Sequence, residues 1–240
     1  MRRICTIAAA GAGALALPAG AQAATAALDL PCYVGGHGGN LALSGYAPNV
    51  AVTVSNADLG STQVMTDATG AATVAFFAPS GDDLSKPGSK PFAVTATEAA
   101  NPASTASATS RVTLLAFATD AGTKSPKAKR SWYFSGFAVG RPIYAHFRFG
   151  GRTKGTYRFG LATAPCGEDK RRAPGIAVPG RVSRGTWTIQ VDQAKAYSAT
   201  TTPRLRDTVP VIVTYRPRAA ALGAATLPER WGMTPSTSWS

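Results

Sequence analysis

Apolar residues recur at every second position through most of this chain, in short runs bounded by Gly, Pro, Asn and Asp, and no stretch sustains a helical period. In the first half, Leu41 and Leu43 open a strand that runs into Ser44-Gly45-Tyr46-Ala47-Pro48-Asn49. Val50, Val52 and Val54 then share one face, with Thr53 and Ser55 on the other. Asp67-Ala68-Thr69-Gly70 has the chemistry of a hairpin turn, because Gly accepts left-handed backbone, and Ala72, Val74 and Phe76 follow on one face. Phe92, Val94 and Ala96 form the next strand and Arg111-Val112-Thr113-Leu114-Leu115 the last.

The second half opens with Trp132-Tyr133-Phe134-Ser135-Gly136-Phe137-Ala138. Ile143, Ala145, Phe147 and Phe149 then alternate with Tyr144, His146 and Arg148, which places the first set toward a core and the second toward solvent. Tyr157, Phe159 and Leu161, then Trp187, Ile189 and Val191, then Val209, Val211, Val213 and Tyr215 supply the later strands. The expected fold class is all-β, two tandem β-sandwiches following a leader.

Ser44-Gly45-Tyr46-Ala47 and Ser135-Gly136-Phe137-Ala138 occupy equivalent places in the two halves and read as two copies of one plan. The expected units are a first domain over 24–120, a polar linker over 121–130, a second domain over 131–218 and a loosely ordered tail over 219–240. On Ser44-Gly45-Tyr46-Ala47-Pro48, the Val52 to Val54 strand, Thr66-Asp67-Ala68-Thr69-Gly70 and Val94-Thr95-Ala96-Thr97, the first unit resembles the bacterial immunoglobulin-like domains strung along extracellular proteins. The unit over 131–218 resembles a more distant variant of the same fold. That resemblance implies a spacer, adhesion or ligand-binding module and no activity.

Residues 1–23 read as a secretory signal: Arg2-Arg3, a short apolar run from Ile4 to Leu17, and Ala21-Gln22-Ala23 before an expected cleavage. The apolar run is too short to span a membrane, so the mature chain is expected to be secreted, with retention at the cell envelope left open. Cleavage removes Cys5 and leaves Cys32 and Cys166, an even pair in an oxidising compartment that reads as one disulfide; two unpaired thiols are the alternative.

Charge divides the chain. Residues 24–120 hold 3 Lys+Arg against 7 acids, a net of −4, whereas residues 124–218 hold 19 against 4, a net of +15. A field of that size attracts anionic polymers. Tyr144, His146, Arg148, Lys154 and Arg158 share an expected outward phase. Lys170-Arg171-Arg172 adds charge from a loop, and Arg181 and Arg184 lie near in sequence. Together they form a candidate binding face for an anionic wall polymer or acidic glycan.

Catalytic signals are sparse. His37 sits among glycines, His146 is expected on an outer strand face, and the two acid pairs Asp82-Asp83 and Glu168-Asp169 point to opposite sides of a strand or into a loop, which does not suit a paired-carboxylate site. Cys166, His146 and Asp192 make a nucleophile set only on paper, since a disulfide is the simpler use of Cys166. No metal ligands, cofactor, specific nucleic-acid partner or membrane span in the mature chain are expected, and a protein partner is left open. The reading is a non-enzymatic binding or structural module. The alternatives are a neutral-carbohydrate binder that stacks sugars on aromatics, and a hydrolase with an unrecognised site.

Overall fold

A computed structural model describes residues 23–81, 84, 86–120 and 125–212. The expected leader, except its last residue, the tail over 219–240, residues 121–124 of the expected linker, Asp82-Asp83 and the positions Val213 and Tyr215 lie outside the described residues.

The described chain is all-β. In the first half the strands are β1 (Thr25–Leu28), β2 (Cys32–Val34), β3 (Gly38–Ser44), β4 (Ala51–Asn56), β5 (Gly60–Met65), β6 (Ala72–Phe77), β7 (Ser89–Glu98) and β8 (Thr105–Thr113). They form a three-stranded sheet, β1-β3-β6, and a five-stranded sheet, β2-β8-β7-β4-β5. The remaining strands are β9 (Ala116–Thr119), β10 (Lys129–Ser135), β11 (Pro142–Phe149), β12 (Arg152–Leu161), β13 (Asp169–Pro174), β14 (Gly185–Asp192) and β15 (Arg204–Val211), in sheets β13-β10-β9 and β12-β11-β14-β15. Without β2, which pairs parallel to β8, the two halves have the same strand order and pairing.

Most of the alternation read from the sequence is an alternation of burial, although Leu161, on the expected apolar face, is 48 % exposed. Leu41 and Leu43 from one sheet meet Val52, Val54, Phe92, Val94, Ala96 and Val112 from the other in a first core. Trp132 and Phe134 meet Ile143, Phe147, Phe159, Trp187, Ile189 and Val191 in a second. Removing each of the larger apolar side chains from water contributes about 1.5–3 kcal/mol.

The internal repeat is structural. Gly45 and Gly136 both take a φ of +77°, and the aromatics that follow, Tyr46 and Phe137, are both buried. Each is met from across the unit by a second left-handed glycine: Tyr46 N–H donates to the Gly70 carbonyl and Phe137 N–H to the Gly167 carbonyl, each at 3.3 Å. A Cβ on Gly70 or Gly167 would collide with the carbonyl of that same aromatic residue.

Four expectations need correction. Asp67 to Gly70 does not close a hairpin: β5 pairs with β4 and β6 with β3, so the turn carries the chain from one sheet to the other. Its backbone is held against the 45–49 segment, where Asn49 N–H donates to the Asp67 carbonyl at 3.1 Å, and this contact replaces a two-strand ladder. Residues 116–119, expected to end the first half, pair with β10 instead, because Phe117 stacks on Trp132 and packs with Leu115 on the second core. The connection between β8 and β9 is therefore Leu114-Leu115, and Lys129 and Arg130 of the expected linker are strand residues. Lys170, Arg171 and Arg172 lie in β13 and not in a loop.

Cys32 and Cys166 form the disulfide, with Cα atoms 5.3 Å apart and 134 residues between them in sequence. It ties β2 to the segment before β13. Close by, Ser135 Oγ donates to the Leu114 carbonyl at 2.7 Å, and Gly136 N–H donates to the Cys166 carbonyl at 2.9 Å. A Cβ on Gly136 would crowd Leu114 O and the Leu115 backbone at 2.7 Å. The two halves thus meet at a two-residue link, a disulfide and a close backbone approach.

Candidate functional site

The outer face of the sheet β12-β11-β14-β15 is the face on which the sequence placed Tyr144, His146 and Arg148. Cross-strand register sorts it into rows. Arg158, Tyr144, Asp192 and Arg204 stand side by side, then Thr156, His146, Gln190 and Arg206, then Thr153, Arg148, Thr188 and Thr208. Neighbours in a row share a face and are close enough to interact.

The centre of this face is dry. His146, Gln190 and Asp192 are all 0 % exposed, which corrects the expectation of a surface position for His146. The cause is the connection between β14 and β15, residues 193–203, which folds back over the strands. His146 Nε2 lies 3.2 Å from Asp192 Oδ1 and 3.1 Å from the Ala194 carbonyl, two acceptors, so the proton sits on Nε2. The other ring nitrogen, Nδ1, lies 3.0 Å from Thr156 Oγ1. Asp192 Oδ1 also accepts from Ala194 N–H at 2.9 Å, and its Oδ2 accepts from Gln190 Nε2 at 2.7 Å. Gln190 Nε2 reaches the Ser198 carbonyl at 2.7 Å as well.

Tyr197 lies edge-on to His146, and the Arg148 guanidinium stands 4.1 Å over the Tyr197 ring. Such a stack is worth about 0.5–2 kcal/mol. Gln193 fastens the start of the connection to the β10–β11 turn, accepting from Ala138 N–H at 3.0 Å and donating to its carbonyl at 2.8 Å. The hydrogen bonds of His146, Gln190, Asp192 and Gln193 fasten residues 193–203 over the sheet.

Arginines surround that centre. Arg158, Arg204 and Arg206 are exposed, and Arg148 is half-buried. Arg206 Nε donates to Gln190 Oε1 at 2.9 Å, Arg204 donates to the Thr201 carbonyl at 3.2 Å, and Arg148 donates to the Gly151 carbonyl. These partners are neutral oxygens. They orient the guanidinium groups, and Arg204 also stands opposite Asp192 in its row.

The structure does not bring the whole expected set together. Tyr144, Arg148 and Arg158 share the face with His146, whose burial removes it from any contact with a ligand. Lys154 is exposed at the β11–β12 register shift. Lys170 and Arg172 belong to the other sheet, opposite Tyr133 and Ser131 of β10. Arg171 donates to Asp169 at 3.1 Å, and Arg181 and Arg184 are exposed between β13 and β14. Arg204 and Arg206 join the face without having been expected there. Their signal is the alternation of Arg204, Arg206 and Thr208 against Leu205 and Val209, in phase with Tyr144 and Arg148.

A smaller cationic cluster bridges the halves. Lys86 and Lys170 place their ammonium groups 5.2 and 5.1 Å from the Tyr133 ring. Asp120 beside them is held below the usual carboxylate range, first by its hydrogen bond with Ser131 and also by Tyr133 and the two lysines.

Among the described residues, no group of three or more His, Cys, Asp and Glu could hold a metal ion, and no helix is long and apolar enough to cross a membrane. No protein-family model matches the chain, and no curated protein matches it. Among solved structures, the chain is similar to the crystal structure of a tetra-tandem repeat in the extending region of a large adhesion protein, at 15 % sequence identity and a TM-score of 0.25. The similarity covers 78 % of this chain and 47 % of that one, so the chain spans about half of its length.

Proposed function

We propose that this is a secreted, non-enzymatic module of the cell envelope, built as two immunoglobulin-like β-sandwiches joined at Leu114-Leu115, whose basic second half binds an anionic polymer such as a wall polymer or acidic glycan. The duplicated order of a three-stranded sheet and a four-stranded sheet around each core supports the sandwich reading. One observation carries the binding reading: Arg158, Arg204 and Arg206 are exposed on one sheet face, and Arg204 and Arg206 are steadied by neutral oxygens. Guanidinium groups held in this way keep their attraction for phosphate or carboxylate and have already lost part of their rotamer freedom.

The aromatics do not favour a neutral-sugar site. Trp132 and Trp187 are core residues at 0 % and 2 % exposure, which leaves tyrosines and the exposed Phe77 of the first half as described stacking surfaces. The hydrolase alternative loses its thiol, because Cys166 is bonded to Cys32. Reversing the charge of Arg158 and Arg204 together, as Arg158→Glu with Arg204→Glu, is expected to abolish retention of the protein on an immobilised acidic polysaccharide. The same reversal at Lys170 and Arg172, on the opposite sheet, is expected to reduce it far less. Equal retention of the first variant and the unaltered protein would refute the assignment.

A further inference from the structure

The sheet edges of this molecule are protected unequally. Strand edges expose unpaired backbone donors and acceptors, and proteins blunt them with charge, proline or brevity. Among the described residues, β12 carries Arg152, Lys154 and Arg158; β13 carries Lys170, Arg171 and Arg172 and ends in Pro174; β15 carries Arg204, Arg206, Asp207 and Pro210. The edge strands β1, β2 and β9 have only three or four residues, and alternate residues of β6 are half-buried. Like β6, which also holds no charge and no proline, β5 lacks these defences, and it is the more exposed of the two. Its sequence, Gly60-Ser61-Thr62-Gln63-Val64-Met65, holds no charge and no proline, and five of its six residues are exposed.

The surroundings are equally bare. Between Leu59 and Phe77 the single charged residue is Asp67, whose carboxylate is engaged by Thr69 and Ala71 of its own turn. Leu59, Met65 and Phe77 are 45 %, 61 % and 71 % exposed.

The register shows which groups β5 offers. Thr66 N–H donates to the Val50 carbonyl at 2.9 Å, and β5 continues that ladder with Val64 opposite Val52 and Thr62 opposite Val54. Backbone direction alternates along an antiparallel strand, so Ser61, Gln63 and Met65 turn their N–H and C=O groups to the open edge. Three residues spaced by two about Gln63 form a palindromic set.

We propose that β5 pairs antiparallel with the β5 of a second copy of this chain, with Gln63 facing its own counterpart on the two-fold axis and Ser61 facing Met65 on either side. This register matches every outward donor to an acceptor and joins the two five-stranded sheets into one, an isologous contact that closes as a dimer. A second copy is the occupant the charges favour. Its β5 brings no charge to a neutral edge, while its other long edges outside the first half bring arginine and lysine, and its +15 second half is repelled by its counterpart.

Sedimentation equilibrium of the full mature chain, across about a hundredfold range of concentration, tests this. The protein is expected to be a dimer at the upper end. Gln63→Lys sets two ammonium groups against each other on the axis and is expected to raise the dissociation constant at least tenfold, with circular dichroism unchanged because Gln63 is exposed. Gln63→Cys is expected to give a disulfide-linked dimer on oxidation. A chain that stays monomeric at every concentration, or a dimer that Gln63→Lys leaves intact, would overturn the proposal.

Discussion

Asp192 joins three parts of the second half, through the His146 imidazole, the Gln190 amide and Ala194 N–H. Asp192→Ala leaves Ala194 N–H and part of two other donors unsatisfied in a buried place, and is expected to cost about 2 kcal/mol. Hydrogen exchange is expected to show residues 193–203 opening well before the β11–β14 ladder. Asp207 acts in the opposite sense. It lies beside the buried Ile189, and burial raises its carboxyl above the ordinary value, only partly offset by Thr208 N–H. A raised folded-state value means the native state holds the proton more tightly. Its contribution therefore favours folding in acid and is lost as pH rises through that value. Asp207→Asn is expected to raise Tm by a few degrees at neutral pH, with the gain shrinking toward pH 4. Asp29 and Asp67 are held low, by Tyr33 and Thr69 first, so the stability they give is present at neutral pH and lost in acid. At this scale the sequence is a partial guide. The phase of Tyr144, His146 and Arg148 is legible in it, but the burial of His146 is not, because a period-two pattern does not show what a distant connection will cover.

At the scale of elements, the legible strands that bury two or more large side chains on one face are β3, β4, β7, β10, β11 and β14, and β12 and β15 are legible from alternation with one buried apolar residue each. β13, with four charged residues and one buried alanine, reads as a loop, and β9, with four residues, reads as the end of its neighbour. β5 hides in the sequence for the same reason that it stands out in the structure, since it buries almost nothing. The turn at 67–70 is legible as a turn but not as a crossing between sheets, because Asp67 and Gly70 serve either use. The paired glycines make the duplication testable. Gly70→Ala and Gly167→Ala each force a Cβ against a carbonyl and left-handed backbone on an L side chain, and each is expected to destabilise its own core by about 1–3 kcal/mol. Chemical denaturation followed by the tryptophans, all those described lying in the second half, is expected to register Gly167→Ala more strongly.

At the scale of the molecule, parity suggests a pairing of Cys32 with Cys166 but leaves two unpaired thiols open, because sequence does not show the 5.3 Å approach of their Cα atoms, and the halving of the charge is legible from counting. The position of the junction is not, because Leu114-Leu115 carries no linker chemistry and the polar stretch after it is an ordinary connection between β9 and β10. A crosslink spanning 134 residues is worth about 4–5 kcal/mol in the chain-entropy model. Cys32→Ser with Cys166→Ser is expected to lower stability by an amount of that order, and to leave the Ser135 to Leu114 hydrogen bond and the Leu114-Leu115 link to hold the halves together.

The most direct test of the central claim is the salt dependence of binding between the mature protein and an acidic wall polymer. Binding through the exposed arginines would release counterions, so the logarithm of affinity is expected to fall linearly with the logarithm of salt between about 50 mM and about 200 mM, with a shallower slope in Arg158→Glu with Arg204→Glu. Affinity that stays constant across that range, or binding that survives removal of the second half, would contradict the account.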